Sequence, residues 1–345
     1  MLKKVVVLVM CAVMILAVTA CAQEPQQQEP EKKDKFVIGY DIYWLGNSWS
    51  VQMYKEFEAE AGRNMDIIEE VIYTDSEGNA EKQVSNVQDL IAKNVDVIIT
   101  TPNNPTALIP TLIKAREAGI MVVLNGAALD SEDYDLYVNV DDYQFGQAAG
   151  EWLADKLGGE GNIVALSGLA GISTSDLRFQ GGKDVFDKHP GINLLTEVHA
   201  AWDYATAKME TSNLLAAHPE IDGVFSQGGA MTMGAIEAFE AAGRELVPMT
   251  GEDYNGFLKI WYSYLDDGFD CVVSAKPTWI SSEALLLTLK VLRGENVPRD
   301  NVLPAPTITS ATVGDYVRLD MPDELWCMTR MSDEEIMAMF REQGQ

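Results

Sequence analysis

From Phe36 onward the chain alternates short apolar runs with amphipathic stretches of helical length. "FVIGYDI" has the composition of a strand buried on both faces, and a helix is expected over 49–63. "DIIEEVIY" follows as a strand, then a helix over 79–93 with apolar Val84, Val87, Leu90 and Ile91 at helical spacing. "VDVIITT", a helix over about 106–118 closed by Gly119, and "IMVVLN" complete a first set. The alternation then restarts. Helices are expected near 143–157, 175–188, 205–218, 231–242 and 256–267, separated by the strands "NIVALSG", "NLLTEVHAA", "IDGVFSQ", "LVPMTGED" and "DCVVSA". Strands alternating with helices imply parallel sheets covered on both faces.

One open sheet of so many strands is less favourable than two of about six. The chain therefore reads as α/β, two doubly wound parallel-sheet domains joined by a multi-strand hinge with a ligand cleft between them. No Pro/Gly/Ser-rich linker separates the halves; "LYVNVDDYQFG" passes between them as extended sequence. After "DCVVSAKPTW", a helix over 280–292 and "GENVPRDNVLPAPTITSATVG" supply two further crossings. The expected division is 36–139 with 276–304 for the N-terminal domain, and 140–275 with 305–345 for the C-terminal domain and tail. Several crossings restrict motion to closure over a ligand. In the tail, "SDEEIMAMF" starts at a capping Ser332 and should form a short helix docked on one domain, with Trp326 as packing and not a ligand contact.

Composition narrows the partners. The 345 residues suffice for two domains. Lys plus Arg number 25 against 53 Asp plus Glu, a net charge of −28, and no stretch provides the basic footprint that nucleic-acid binding requires. Residues 1–20 read as targeting: Lys3 and Lys4 precede an apolar run over 5–18 that ends in Thr19, Ala20 and Cys21. A cysteine directly after small residues resembles the bacterial lipoprotein signal, whose thiol carries lipid; the alternative is an ordinary secretory signal with Cys21 incidental. Residues 21–35, polar and Pro-containing, suit a flexible tether. The protein is then expected outside the cytoplasmic membrane, anchored to it through lipid on Cys21. Cys271 and Cys327 remain, and an oxidising compartment permits a disulfide between them without their positions requiring one. His189, His199 and His218 are scattered and none pairs with a cysteine at zinc-ligand spacing, so no metal and no cofactor is expected.

In doubly wound sheets ligands bind beyond the carboxyl ends of the strands. Here those ends carry "YDIYWLGNSW", "TTPNNP", "LNGAA", "SGLAGISTSDLR", "AAWDYA", "SQGGAM" and "TGEDYNG". Two such rims facing each other make a cleft, and the first is dense in aromatic residues.

These loops in this order resemble those of periplasmic sugar-binding proteins of the ribose- and galactose-binding type, the solute receptors of ABC importers. The resemblance covers about 36–311 and is most specific in "VSNVQDLIAKNVDVIITTPNN", with further matches in "LLAAHPEIDGVFSQGGAMTMGAIEAF" and "LRFQGG". It implies that Asn47 holds sugar hydroxyls, that Trp49 and Trp202 stack on the sugar, that Arg178 is the cleft arginine and that Asp253 accepts from hydroxyls. Asn47 and Asp253 are also ordinary helix-capping types, and Trp202 an ordinary core type. Tyr43 and Trp44 are rings beyond the family's need. The chain departs from ribose binders at Asn125-Gly126, at Gly228-Gly229 and at Ala275-Lys276, where hydroxyl-binding side chains are expected. Asn125, Gly228 and Lys276 thus mark places where the ligand differs from ribose. The resemblance implies a carbohydrate or related polyol, an ABC importer permease as partner, and a monomer. A nucleoside-like ligand, or a sensory role toward a chemoreceptor or sensor kinase, stays open.

Other classes fit less well. No histidine lies in a rim loop and Gly-x-Ser-x-Gly is absent, so no nucleophile and base are set up for catalysis, and no enzyme is expected. A DNA-binding regulator of related fold needs an N-terminal helical module, where this chain has a leader and an acidic tether.

Overall fold

The computed structural model describes residues 33–342. The leader, the lipidation candidate Cys21 and the tether up to residue 32 lie outside the described residues. The first set runs β1 (Phe36–Ile42), α1 (Ser48–Arg63), β2 (Ile68–Asp75), α2 (Ala80–Ala92), β3 (Val97–Thr100), α3 (Ile109–Glu117), β4 (Met121–Asn125) and β5 (Leu136–Val140). The second runs α4 (Asp142–Lys156), β6 (Glu160–Ser167), α5 (Ser173–Phe186), β7 (Gly191–His199), α6 (Tyr204–Ala217), β8 (Gly223–Ser226), α7 (Gly229–Ala241), β9 (Met249–Gly251), α8 (Asn255–Ser263) and β10 (Cys271–Ser274). The chain closes with α9 (Ile280–Leu292), β11 (Asp300–Leu303), β12 (Thr307–Ile308), α10 (Val313–Tyr316) and α11 (Asp333–Glu342).

The strands form two six-stranded sheets, ordered β2-β1-β3-β4-β5-β11 and β7-β6-β8-β9-β10-β12. All pairings are parallel except the edge strand β12, antiparallel to β10. This is a two-domain α/β fold. The alternating side-chain directions of a strand explain why its runs are continuously apolar. Val97 and Ile99 enter one core with Phe57 and Leu285, while Ile98 between them enters another with Leu90 and Leu112. In the second sheet, Val164 and Leu166 join Phe239 and Trp261, whereas Ile163 and Ala165 join Phe186 and Phe225.

Helix starts follow side-chain caps. Asn47, Asn79, Asp141 and Asp203 each accept from a backbone N–H three residues on, at 2.7–2.9 Å. The helix expected over 256–267 is split: α8 ends at Ser263, and a 3₁₀ turn, Leu265–Asp267, is closed by Gly268 at φ 82°. The chain passes between sheets after β5, after β10 and between β11 and β12.

The C-terminal helix α11 pairs with α1 of the N-terminal lobe through Arg63–Glu335 and Lys55–Glu342, and with Arg318 of the tail itself through Asp333. Asn255 at the start of α8 holds the same tail, donating to the carbonyls of Arg318 (2.8 Å) and Pro322 (2.9 Å). Cys271 and Cys327 are both free thiols, and burial raises the pKa of each.

Helices α4 and α5 meet backbone to backbone. A Cβ on Gly146 would lie 1.9 Å from the Arg178 carbonyl oxygen, and one on Gly181 would lie 2.1 Å from that of Tyr143. This glycine seam sets where Arg178 leaves its helix. Gly146→Ala is expected to force the helices apart and destabilise the fold by about 1–3 kcal/mol, the usual cost of overpacking. The measurement is the thermal midpoint, and an unchanged midpoint would show that the seam is not tight.

Candidate ligand-binding cleft

The carboxyl ends of both sheets face one cavity. Its volume is about 60 Å³, several times the roughly 10–15 Å³ needed by one water. The N-terminal sheet contributes the loop after β1 and the start of α1 (Tyr43, Asn47, Ser48, Trp49), together with Thr101 and Pro102 after β3 and Gly126 and Ala127 after β4. The C-terminal sheet contributes Ile172, Thr174 and Arg178 around the start of α5, Trp202 after β7, and Glu252 after β9. Lys276, on the crossing after β10, and Trp326 of the tail complete the wall.

Asn47 serves two purposes. Its Oδ1 caps α1, accepting from Ser50 N and Oγ at 2.8 Å each, and the same side chain lies on the cavity wall. Trp49 donates from Nε1 to the Lys276 carbonyl at 2.9 Å, so the ring is pinned to a hinge crossing. Trp202 and its neighbour Ala201 both adopt left-handed backbone, φ 55° and 53°, a conformation non-glycine residues rarely hold outside constrained sites. The indole lies over two glycines: a Cβ on Gly168 would come within 2.1 Å of it, and one on Gly228 within 2.8 Å. Gly228 therefore acts beneath Trp202 and not as a wall of its own.

Behind the rings sits a buried ionic cluster. Arg178, 2% exposed, donates from Nε to Asp142 at 3.0 Å, pairs with Glu252 at 3.0 Å and stacks its guanidinium 3.7 Å over the Phe145 ring. Lys276 reaches the other oxygen of Asp142 at 2.8 Å and the Gly126 carbonyl at 2.6 Å. Burial pushes the Glu252 carboxyl up to about 7, with Arg178 pulling the other way, and burial lowers the Lys276 pKa. Two cations and two carboxylates thus neutralise one another inside the cleft. They present donors and acceptors for hydroxyls while needing no charge from the ligand.

Three further expected residues are placed elsewhere. Asp253 turns away: its Oδ2 accepts Met328 N at 2.6 Å and its carbonyl accepts Cys327 N, so it anchors the tail, while its neighbour Glu252 faces Arg178. Trp44 folds over Gly46 and Gly78 against the N-terminal core. Asn125 is fully buried and accepts from Thr101 Oγ1 at 3.1 Å, standing behind the wall. Trp326, expected as packing, is on the wall. Glu252 and Asp142 carry the charge without having been singled out. The acid doublets "ED" and "DD" were the available signal; they sit in the turn after β9 and at the start of α4, where no strand period says which member faces inward.

A family model described as periplasmic binding protein domain matches residues 38–296. The chain belongs to this family. The ribose import binding protein of Bacillus subtilis (strain 168) is 28% identical to this periplasmic binding protein over 303 residues, covering 86% of the chain and 96% of that protein. The xylitol-binding protein of Mycolicibacterium smegmatis is 30% identical over 312 residues, covering 86% and 83%. Among solved structures, a Bacillus halodurans ABC transporter solute-binding protein with bound myo-inositol superposes with a TM-score of 0.75 at 25% identity, covering 84% of this chain and 99% of that one. The fructose-binding periplasmic domain of a hybrid two-component system superposes at 0.73 with 28% identity, covering 81% and 92%.

Two predictions follow from the cluster. Asp142→Ala leaves Arg178 and Lys276 facing each other without their shared anion, and should cost about 3–5 kcal/mol in chemical denaturation. Loss of less than a fifth of that would show the cluster is not a structural unit. Glu252 has a folded pKa above its unfolded one, so its contribution to stability is full below about 4.5 and is lost as pH rises through about 7. The stability of Glu252→Gln relative to wild type should therefore rise between pH 5 and pH 8, on the order of one or more kcal/mol as read by denaturation. A pH-independent difference would contradict the assignment.

Proposed function

We propose that this protein captures a carbohydrate or related polyol outside the cytoplasm and delivers it to an ABC importer. The observation that carries the reading is the self-neutralised cluster set among tryptophans at the facing strand ends. Aromatic faces take up C–H surface, and the paired Arg178, Glu252 and Lys276 share vicinal hydroxyls of a neutral ligand. The ribose, xylitol and myo-inositol named for its relatives support the same class. The side chains Asn47, Trp49, Arg178 and Trp202 are the proposed contacts, with Tyr43 and Lys276 on the same wall. Capture proceeds by closure of the lobes over the ligand, a population shift that the permease recognises, without turnover. Lipid on Cys21 would hold a monomer at the membrane face where that permease sits. A sensory role is the second reading, favoured by the likeness to the fructose-binding domain of a two-component system.

Thermal-shift screening against pentoses, hexoses, cyclic and open-chain polyols and nucleosides tests the ligand class, because a cleft ligand stabilises by mass action, by about 2.7 kcal/mol at a hundred times Kd. At least one sugar or polyol should raise the midpoint and lower the small-angle scattering radius. A shift with nucleosides alone, or with nothing, would sink the carbohydrate reading.

A further inference from the structure

The C-terminal segment contributes to the cleft in a way that neither sheet does. Trp326 is 4% exposed, and its indole is held from several directions at once. Its backbone N–H donates to Gln52 Oε1 at 3.0 Å while its carbonyl accepts from Gln52 Nε2 at 2.9 Å, so one side-chain amide of α1 grips both backbone groups. Its Nε1 donates to Ser48 Oγ at 3.0 Å, and Tyr254 meets its ring edge to face at 5.6 Å. The flanking residues are fixed to opposite lobes. Cys327 and Met328 donate their amides to Asp253 beside the C-terminal sheet, while Thr329 and Arg330 donate to Glu56 on α1. Ser48, next to Trp326's indole nitrogen, is itself on the cavity wall.

Such a fixed ring is a preorganised surface, since ordering it costs nothing further when ligand arrives. Trp326 belongs to the C-terminal core with Tyr254 and Met328, not to the tail's own cluster of Leu325, Ile336, Met339 and Phe340, and the same ring reaches the cavity wall. Resting on the ligand class proposed above, we propose that Trp326 is a ligand-contacting, specificity-determining residue, and that the tail segment 322–330 is a strap bridging the lobes that supplies a third indole wall to the cleft. Trp49 comes from the N-terminal lobe, Trp202 from the C-terminal lobe and Trp326 from the strap, so a ring-shaped polyol or glycoside meets C–H-binding surface from three directions. Gln52 is a positioning residue: it does not touch the ligand and acts by seating Trp326.

The test has two arms. Wild type, Trp326→Ala, Trp326→Phe and Gln52→Leu are titrated calorimetrically with D-ribose, D-allose, xylitol, myo-inositol and phenyl β-D-glucopyranoside, with circular dichroism confirming the fold. For each probe that wild type binds, Trp326→Ala should weaken binding about tenfold or more, Trp326→Phe about threefold or less, and Gln52→Leu by an intermediate factor. Binding of Trp326→Ala within about twofold of wild type for every such probe would overturn the proposal. In the second arm, Trp326→Cys is made in a Cys327→Ser background and exposed to neutral methyl methanethiosulfonate with no ligand present. The introduced thiol should react in the native protein; reaction only upon denaturation would overturn the proposal. Failure of wild type to bind any probe defeats the carbohydrate reading, and the labelling arm then decides the strap separately.

Discussion

A single buried carboxylate holds the working parts of this protein in register. Asp142 stands one residue past the capping Asp141, on the first crossing between sheets, where the start of α4 also favours negative charge. One of its oxygens takes Arg178 from α5, the other takes Lys276 from the second crossing. Burying charges is costly, and here the cost is offset because every ion has a partner at hydrogen-bond distance and Arg178 also rests on Phe145. Two hinge crossings and the back of the cleft are thereby one ionic unit. Lys276 lies on the second crossing, which makes that crossing itself part of the charge balance.

Much of this architecture was legible in the sequence, for physical reasons that apply unevenly. Strands such as β3 and β8 are buried on both faces, so their runs are unbroken and easily located, and capping residues such as Asn47 and Asp203 mark helix starts. The strand-end rule then pointed to most of the loops that line the cavity, though not to the tail. It could not choose within them. In "GEDY" adjacent residues point to opposite sides, so Glu252 meets Arg178 while Asp253 meets the tail; in "YWLGN", Tyr43 lines the cavity while Trp44 covers its own turn. The place of Trp326 on the wall was beyond reach because it depends on Gln52, 274 residues away in sequence, and no local period records that contact.

The tail also shows how a strongly acidic chain manages its excess of carboxylates. Glu56 and Asp253 are buried without a cation and serve as acceptors for backbone amides and hydroxyls of the strap. Burial raises the pKa of both, Asp253 to about 6, and their hydrogen bonds pull each back. The same residue type thus balances cations behind the cleft and replaces secondary-structure partners along the strap.

The glycine seam between α4 and α5 divides the site into a part that cannot vary and a part that can. Arg178 is positioned from behind by backbone contact that no side chain larger than hydrogen permits, so its location is independent of whatever lines the front. Trp202 and Trp326 are carried by a turn and a tail, both outside the helices that make the seam. On the proposed ligand reading, rings at the front can be exchanged while the guanidinium stays in place, which separates the inheritance of hydroxyl chemistry from the inheritance of ligand shape.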